Sequence, residues 1–216
     1  MLKRWMVMLT AFLLAACGST PVTSAGTANP SSATLSAPSY EQVLNAMRSA
    51  HSVHERKQAG SVIADIRAEA SGAVAGIFTI AGGGSLQFFA TEATFEAVGD
   101  AAFVANCGCS VKPTPGVCQV FSSAIMAAVG LTPSDLAGFT PAGQAQGLAA
   151  AAPAMTIQTT ATVNGVLTHV FTGSGRELDV PTEGPLLPIR LTRPGVYETV
   201  FSEWNTATPT KPTSCV

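Results

Sequence analysis

The sequence predicts an α+β fold in which one strongly curved antiparallel β-sheet, a half-barrel, carries short helices over its concave face. Three observations support this. Apolar and polar residues alternate in several short segments, which is typical of half-buried strands. Tight glycine turns join these segments, and Asn164-Gly165 is the strongest short signal for a β-hairpin. Helices and strands do not alternate one by one, as they would in a parallel α/β fold.

The first residues predict an export signal. Lys3 and Arg4 precede an uncharged run over residues 5–14, and small residues follow it. A charged start, a short apolar run and a small-residue cleavage site define a secretory signal peptide, here residues 1–16. The apolar run is too short for a transmembrane helix, which needs about 20 residues.

The end of this signal resembles the lipobox of bacterial lipoproteins. The residues are Leu14-Ala15-Ala16-Cys17, and the resemblance implies that Cys17 is acylated, as by palmitate, and begins the mature chain. The alternative is an ordinary secretory signal with an incidental cysteine. Residues 17–38 carry no charge and predict a flexible tether. Together these features predict an outward-facing protein of the cell envelope, held to the cell membrane by its lipid.

A helix is predicted at the start of the folded domain, which we place at residues 39–205. Ser39 is a capping residue and Gln42 stands three positions later, as in a capping box. A helical apolar stripe follows and extends to about Ala50; it consists of Tyr40, Val43, Leu44 and Met47.

Strands are predicted next, joined by the turns Ser71-Gly72 and Gly82-Gly83-Gly84. Their segments are 62–70, 73–81, 86–90 and 95–97, and residues 101–105 follow. The segment 73–81 is apolar on both faces, which suits a sheet whose concave side is covered.

Helices are predicted in the middle of the chain and strands again after it. Residues 120–129 have helical spacing, and Thr132-Pro133 and Thr140-Pro141 are helix starts, the second helix ending near Ala152. The later strands are 155–163, 166–172, 186–192 and 196–202, and residues 206–216 predict an irregular tail.

Composition excludes some classes of function. Without Lys3 and Arg4 the mature chain has 9 basic and 13 acidic residues, a net charge of −4. The sequence has no basic patch of the kind that indicates nucleic-acid binding. Apolar residues make up 47% and charged residues only 11% of the chain, which favours an internal apolar cavity. No cofactor is expected.

Four cysteines remain once Cys17 is assigned to lipid. Cys107, Cys109, Cys118 and Cys215 predict two disulfides in an exported protein. Because a Cys107–Cys109 ring would be very tight, we expect one of these two to bond Cys118 and the other to reach Cys215. The alternative is a thiolate metal site on the Cys107-Gly108-Cys109 loop.

No catalytic residues are predicted, and we expect no enzyme. His51 and His54 lie three apart and are interpreted as solvated residues at a helix end rather than as a metal pair. His169, Asp179 and a serine would make a hydrolase triad only by chance, since no Gly-x-Ser-x-Gly elbow is present.

Several sequence segments resemble those of the LppX/LprAFG group of actinobacterial lipoproteins. One runs from Glu177 to Leu191, including Leu187-Pro188-Ile189-Arg190; another is Phe201-Ser202-Glu203-Trp204-Asn205. The Cys107-Gly108-Cys109 loop departs from this pattern. The resemblance implies a LolA/LolB-like half-barrel over residues 38–205 that carries an acylated lipid or glycolipid.

Seven apolar side chains are candidates to line such a cavity, although an ordinary packed core would need the same residue types. They are Phe78, Phe88, Phe95, Phe103, Met155, Ile157 and Phe171. The alternative function is a ligand-free envelope module that docks a protein. The expected partners are the membrane and a lipid ligand.

Overall fold

The computed structural model describes residues 37–106, 114–122 and 133–215, and within them it confirms the predicted fold class. Eleven antiparallel strands form one open sheet in the order β6-β5-β4-β3-β2-β1-β11-β10-β9-β8-β7. Four short helices accompany the sheet in these residues. Cys17 and the predicted signal and tether lie outside the described residues, except for positions 37 and 38.

The strands and helices have the following bounds. The first half contains α1 Tyr40–Ser49, β1 Ser52–Ala59, β2 Val62–Glu69, β3 Val74–Ile80, β4 Gly84–Ala90, β5 Thr94–Gly99 and α2 Ala101–Asn106. The middle contains β6 Gln119–Ser122, α3 Pro133–Ala137 and α4 Pro141–Ala151. The second half contains β7 Thr156–Val163, β8 Val166–Gly173, β9 Arg176–Pro181, β10 Arg190–Arg193 and β11 Tyr197–Ser202.

Helix α1 forms where its capping signals place it. Ser39 Oγ accepts a hydrogen bond from the Gln42 backbone N–H at 3.2 Å, and Gln42 Oε1 accepts one from Ser39 N at 2.7 Å. The four residues of the predicted apolar stripe are all buried. Within the described residues no helix is both long and apolar enough to cross a bilayer.

Strand β1 was missed by the sequence-based prediction, which assigned its histidine to a helix end. It pairs with β2 and β11 at the middle of the sheet and joins the two halves. Its residues are polar on both faces, because Glu55 and Lys57 alternate with His54, Arg56 and Gln58. The apolar alternation that marks the other strands is therefore absent.

Four further details of the structure differ from the prediction or were not predicted. Residues 119–122 form the edge strand β6 rather than the start of a helix, and the alanine-rich residues 101–106 form α2. Strand β9 was not predicted, and β10 is shorter than the predicted segment 186–192. Strand β6 is stabilised by hydrogen bonds to β5, and β9 is stabilised by hydrogen bonds to β8.

The concave face divides into two apolar clusters. The helix-covered cluster lies under α1 and α4 on the C-terminal half of the sheet; it includes Val43, Leu44, Met47, Phe171, Leu178 and Phe201. The other cluster lies on strands β2 to β5 and includes Ile66, Val74, Phe88 and Leu136. This second cluster carries the candidate site.

The C-terminal tail crosses the opposite, convex face and is held by a disulfide between Cys118 and Cys215. The prediction that Cys215 pins the tail is confirmed, but the predicted bonds of Cys118 to Cys107 or Cys109 are wrong. Cys118 directly precedes the edge strand β6, whose first residue Gln119 lies opposite Ala97 of β5, and the end of the tail contacts β5. Cys107 and Cys109 lie outside the described residues.

Candidate ligand-binding site

A row of four phenylalanine rings crosses the concave face of strands β3 to β6. The ring centroids are 5.2 Å apart for Phe78 and Phe88, 5.6 Å for Phe88 and Phe95, and 6.2 Å for Phe95 and Phe121. Aromatic pairs at such distances contribute about 0.5–1.5 kcal/mol beyond the area that they bury. We call these four residues the aromatic row.

Small residues on neighbouring strands leave room for the rings. Phe88 lies opposite Gly76 on β3 and opposite Ala97 on β5, while Phe95 lies opposite Ala90. Because large and small side chains alternate across the strands, the rings meet one another instead of meeting other large residues. The row is thus built by strand register.

The aromatic row is less completely covered than the helix-covered cluster. Phe88 is buried at 1% exposure, but the other three rings of the row are only half-buried. Leu136 of α3 packs against the row, and Phe139 is half-buried beside it. A partly exposed apolar surface inside a curved sheet is suited to an acyl chain or another flat apolar ligand.

The structure brings together only some of the seven predicted cavity residues. Phe78, Phe88 and Phe95 belong to the aromatic row. Met155, Ile157 and Phe171 belong to, or pack against, the helix-covered cluster, where Tyr40 of α1 lies over Phe171 with ring centroids 6.1 Å apart. The seventh, Phe103, lies on α2 next to Gly84 and Gly99.

A buried carboxyl group marks the boundary between the two clusters. Glu55 is 2% exposed on the concave face of β1, and its Oε2 accepts a hydrogen bond from Gln144 of α4 at 2.6 Å. Burial raises the pKa of Glu55 to about 7, and the charge of Lys57 acts in the opposite direction. Burial also lowers the pKa of Lys57.

Cationic side chains surround one tyrosine at the end of the same face. Lys57 Nζ lies 4.7 Å from the ring centroid of Tyr197, and Arg176 Nε donates a hydrogen bond to its hydroxyl at 3.0 Å. Arg176 Nη1 also donates to the Ala151 carbonyl at the end of α4. Arg193 pairs with Tyr197 in the register of β10 and β11. We call Lys57, Arg176 and Arg193 the cationic end.

Polar side chains form a network on the convex face of β1 and β2. His54 Nε2 lies 2.9 Å from Asp65 Oδ1, and Ser202 Oγ lies 2.9 Å from His54 Nδ1. Glu203 Oε1 is 3.4 Å from the same Nδ1 and also accepts a hydrogen bond from Arg67 at 3.0 Å. His54 Nδ1 therefore has both Ser202 and Glu203 as neighbours. The arrangement is a cross-strand network, and the predicted place of His54 at a helix end is wrong.

The triad considered from the sequence does not assemble. His169 pairs with Val180 in the register of β8 and β9, and Asp179 pairs with Val170, so the two side chains point to opposite faces. Asp179 is buried and accepts a 2.6 Å bond from Arg190.

A cleft of about 240 Å³ separates the convex face from the tail. Its lining includes Asp65, Arg67, Gln87 and Lys211, and both cations already have carboxylate partners. This polar lining is a poor match for an acyl chain, which leaves the concave face as the better candidate.

Among the residues that the structure describes, one group of side chains has the composition of a metal site. Ligand atoms of Glu96, Cys118 and Cys215 lie within 4.8 Å of one another. The two sulfurs are joined to each other, and Glu96 Oε1 accepts from Lys211 at 2.6 Å. In this oxidised form the cysteines offer no thiolate to a metal.

The sequence-based prediction missed Phe121, Glu55 and the cationic end. Phe121 was assigned to a helix, so its place at the edge of the row was not foreseen. A signal for β1 did exist, since Gly60 separates two segments of equal length that pair along their whole extent. Polar residues on both faces of the first segment concealed it.

An open antiparallel half-barrel, with helices over one part of its concave face and an aromatic row on the other, defines the structural class. The fold is similar to that of LprF from Mycobacterium bovis, at a TM-score of 0.52 and 15% sequence identity. The match covers 83% of this chain and 99% of LprF, a member of the LppX/LprAFG group. The resemblance stated from the sequence is confirmed for the fold, and at this identity for the fold alone.

Other comparisons add little. The MucA/MucB complex of Pseudomonas aeruginosa matches 81% of this chain and 57% of that chain at 11% identity, and its TM-score of 0.32 is too low to indicate a shared fold. No protein-family model matches the sequence, and no curated protein matches it.

Proposed function

We propose that the protein is a membrane-anchored lipoprotein of the cell envelope that binds the acyl part of an amphipathic lipid on its aromatic row. The partial exposure of this row on a concave face carries the proposal. The predicted signal over residues 1–16, the acylated Cys17 and the tether would hold the domain at the bilayer from which it takes its ligand. We propose no covalent chemistry.

The energy of binding would come from removing acyl chain and aromatic surface from water. Each buried methylene contributes about 0.8 kcal/mol, less the cost of ordering the chain. The apolar row continues across four strands, so a chain lying along it would contact several rings in succession. The helix-covered cluster is already close-packed and would take no part.

A charged substitution in the row provides the test. Leu86 faces Phe78 across β3 and β4, whereas Thr79 is the next residue along β3 and lies exposed on the convex face. We expect Leu86→Glu to weaken binding of a fluorescent fatty acid at least about tenfold, since a carboxylate is costly to desolvate beside an acyl chain. Thr79→Glu adds the same charge and should leave binding unchanged.

Circular dichroism and thermal melting of both variants would verify that they fold. Native mass spectrometry of the full chain, exported by a host that acylates lipoproteins, should reveal a co-purifying amphiphile. A wild-type protein that never carries lipid and does not bind the fluorescent fatty acid would disprove the proposed function.

A further inference from the structure

Three side chains with metal-binding atoms meet where the tail is fastened to the convex face of the sheet. Glu96 lies on β5, Cys118 directly precedes β6, and Cys215 ends a short 3₁₀ turn of the tail, Thr213–Cys215. One carboxylate oxygen and the two sulfurs all lie within 4.8 Å of one another. The three residues are distant in sequence, so the fold alone brings these ligand types together.

One oxygen of the Glu96 carboxylate is buried without a partner. Glu96 is 7% exposed, and its Oε1 accepts a hydrogen bond from Lys211 Nζ at 2.6 Å. Within the part of the chain that the structure describes, its Oε2 is buried and has no hydrogen-bond partner. A buried polar atom is costly to leave unpaired, because nothing offsets the water that it loses. Glu96 Oε2 is therefore suited to accept a cation beside the two sulfurs.

The backbone holds these three residues together by contacts other than the disulfide. Glu96 lies opposite Val120, which fixes β5 against β6. In the tail, Cys215 N donates to the Pro212 carbonyl at 2.8 Å, and the neighbouring Lys211 binds Glu96. The Cα atoms of the two cysteines are 5.1 Å apart. Opening the disulfide would thus leave both thiols beside the glutamate.

The geometry points to a zinc site that forms when the disulfide between Cys118 and Cys215 is reduced. The two thiolates and Glu96 Oε2 supply three ligands, and water takes the fourth position, as in zinc sites that keep one position open. With Zn–S bonds of about 2.3 Å, tetrahedral coordination sets the sulfurs about 3.8 Å apart, which the side chains reach by rotating away from each other. The site lies on the face opposite the aromatic row, so this inference does not depend on the proposed function.

The ligand set favours zinc over other common cations. Thiolates are soft ligands that select zinc or copper(I), whereas magnesium and calcium take oxygen ligands. The carboxylate is a harder ligand and shifts the preference from copper(I) to zinc. Two thiolates and one carboxylate carry three negative charges, which Zn²⁺ and the ammonium group of Lys211 together neutralise. Lys211 also orients the carboxylate through Oε1, as hydrogen bonds to metal-bound carboxylates do.

Formation of the site requires an external dithiol as the reductant. Cys118 and Cys215 are both half-buried, so a small dithiol can reach their bond. One thiolate of the dithiol attacks a sulfur, and its second thiol displaces the protein. The dithiol leaves as a cyclic disulfide, and the two cysteines gain two electrons and two protons. Zn²⁺ then replaces the two thiol protons, which pass to water, and the ion restores the link between the tail and the sheet.

Zinc titration of the reduced full chain tests this inference. The protein is reduced with dithiothreitol, freed of it by gel filtration under argon, and titrated with Zn²⁺ in competition with a chromophoric chelator. We expect one ion per chain, bound at least about a hundredfold more tightly than by the oxidised protein, since a disulfide offers no thiolate. Zn²⁺ should also protect Cys118 and Cys215 from alkylation, which peptide mass spectrometry measures.

Matched variants identify the ligands. Glu96→Gln should weaken zinc binding by the reduced protein at least about tenfold, because an amide is a poorer zinc ligand than a carboxylate. Glu92→Gln removes an exposed carboxyl from the turn before β5 and should preserve the affinity. The double variant Cys107→Ser/Cys109→Ser should preserve it as well, because the site does not use these two cysteines. Circular dichroism and thermal melting verify that the variants fold.

Three results of the titration would overturn the inference. They are equal zinc affinity of the reduced and oxidised proteins, unchanged affinity in Glu96→Gln, and loss of binding in Cys107→Ser/Cys109→Ser, which would place the ion on the loop considered from the sequence. If Glu96→Gln does not fold, alkylation of the wild type decides. The inference is then wrong if Zn²⁺ leaves either Cys118 or Cys215 as reactive as it is without the ion.

Discussion

The two halves of the concave face are built from different strands of the same antiparallel sheet, with similar apolar residues, but they reach different degrees of closure. On the C-terminal half, α1 and α4 lie over the sheet, and Val43, Met47 and Leu178 are 0% exposed. On the N-terminal half, the aromatic row remains half-buried at three of its four rings. One half is closed by helices, and the other retains partly exposed apolar surface.

The comparison shows that apolar strand residues do not by themselves distinguish a core from a binding site. Phe171 and Phe95 are both concave-facing phenylalanines in antiparallel strands. Phe171 contacts a helix that begins with a capping box, whereas Phe95 stacks between Phe88 and Phe121 of its row. Whether a helix packs on a strand decides how completely its apolar residues are buried.

The largest expected difference between the halves is in their response to truncation. Phe171→Ala should lower the free energy of unfolding by about 3–5 kcal/mol, because it leaves a cavity in a fully buried site. Phe95→Ala should cost less than half as much, because its ring is already partly exposed, yet it should weaken acyl binding. Urea denaturation and fatty-acid titration of both variants measure this. Equal losses of stability would show that the two halves are equally closed.

The disulfide supports the N-terminal half from its convex side. Replacing Cys215 by serine should lower the free energy of unfolding by about 2–4 kcal/mol, since the bond closes a loop over a sequence separation of 97 residues. Acyl affinity should not change, because the tail lies on the convex face, opposite the aromatic row. Urea denaturation with and without reductant measures the first effect.

A control variant separates the covalent bond from the contacts of the tail. Lys211→Met removes the 2.6 Å bond to Glu96 but retains the disulfide, and it should destabilise less than Cys215→Ser. Loss of acyl binding in Cys215→Ser at a temperature where the variant is folded would contradict the independence of the two faces.

Glu55, which lies at the boundary between the two halves, should make the free energy of unfolding depend on pH. The pKa of Glu55 is about 7 in the folded protein and 4.5 as an ordinary glutamate. As pH rises from 4.5 to 7, the unfolded chain ionises first, so the folded state loses up to about 3 kcal/mol of relative stability. This contribution is complete below pH 4.5 and absent above pH 7.

Chemical denaturation across this pH range measures the effect. Glu55→Gln should abolish this contribution, while Glu198→Gln, an exposed carboxyl on β11, should preserve it. If the wild type and Glu55→Gln show the same pH dependence, Glu55 is ionised in the folded state and the boundary is more polar than its burial indicates.

Prediction from the sequence succeeded where the information was local. The caps of α1 and α4, the turn at Asn164-Gly165 and the strands flanking it all depend on residues within a few positions of one another. It failed at β1, whose concave residues Glu55 and Lys57 are stabilised by partners from α4 and β11. Such partners are distant in sequence and produce no periodic signal.

For the candidate site as well, local features were predicted from the sequence and long-range contacts were not. Phe78, Phe88 and Phe95 were predicted as candidates to line a cavity, together with Phe171. The structure places the first three in the aromatic row and Phe171 under α1. The cysteine pairing was wrong for the same reason, because strand register rather than spacing brings Cys118 to Cys215.

The sequence by itself determined the antiparallel sheet, its turns and the first helix, because capping, turn formation and side-chain alternation act over short distances. Only the tertiary structure decided which strands meet at the centre, which half of the concave face the helices cover, and that cations and aromatic rings lie on one face. These depend on register between strands that lie far apart in the chain, and a one-residue shift would exchange the two faces.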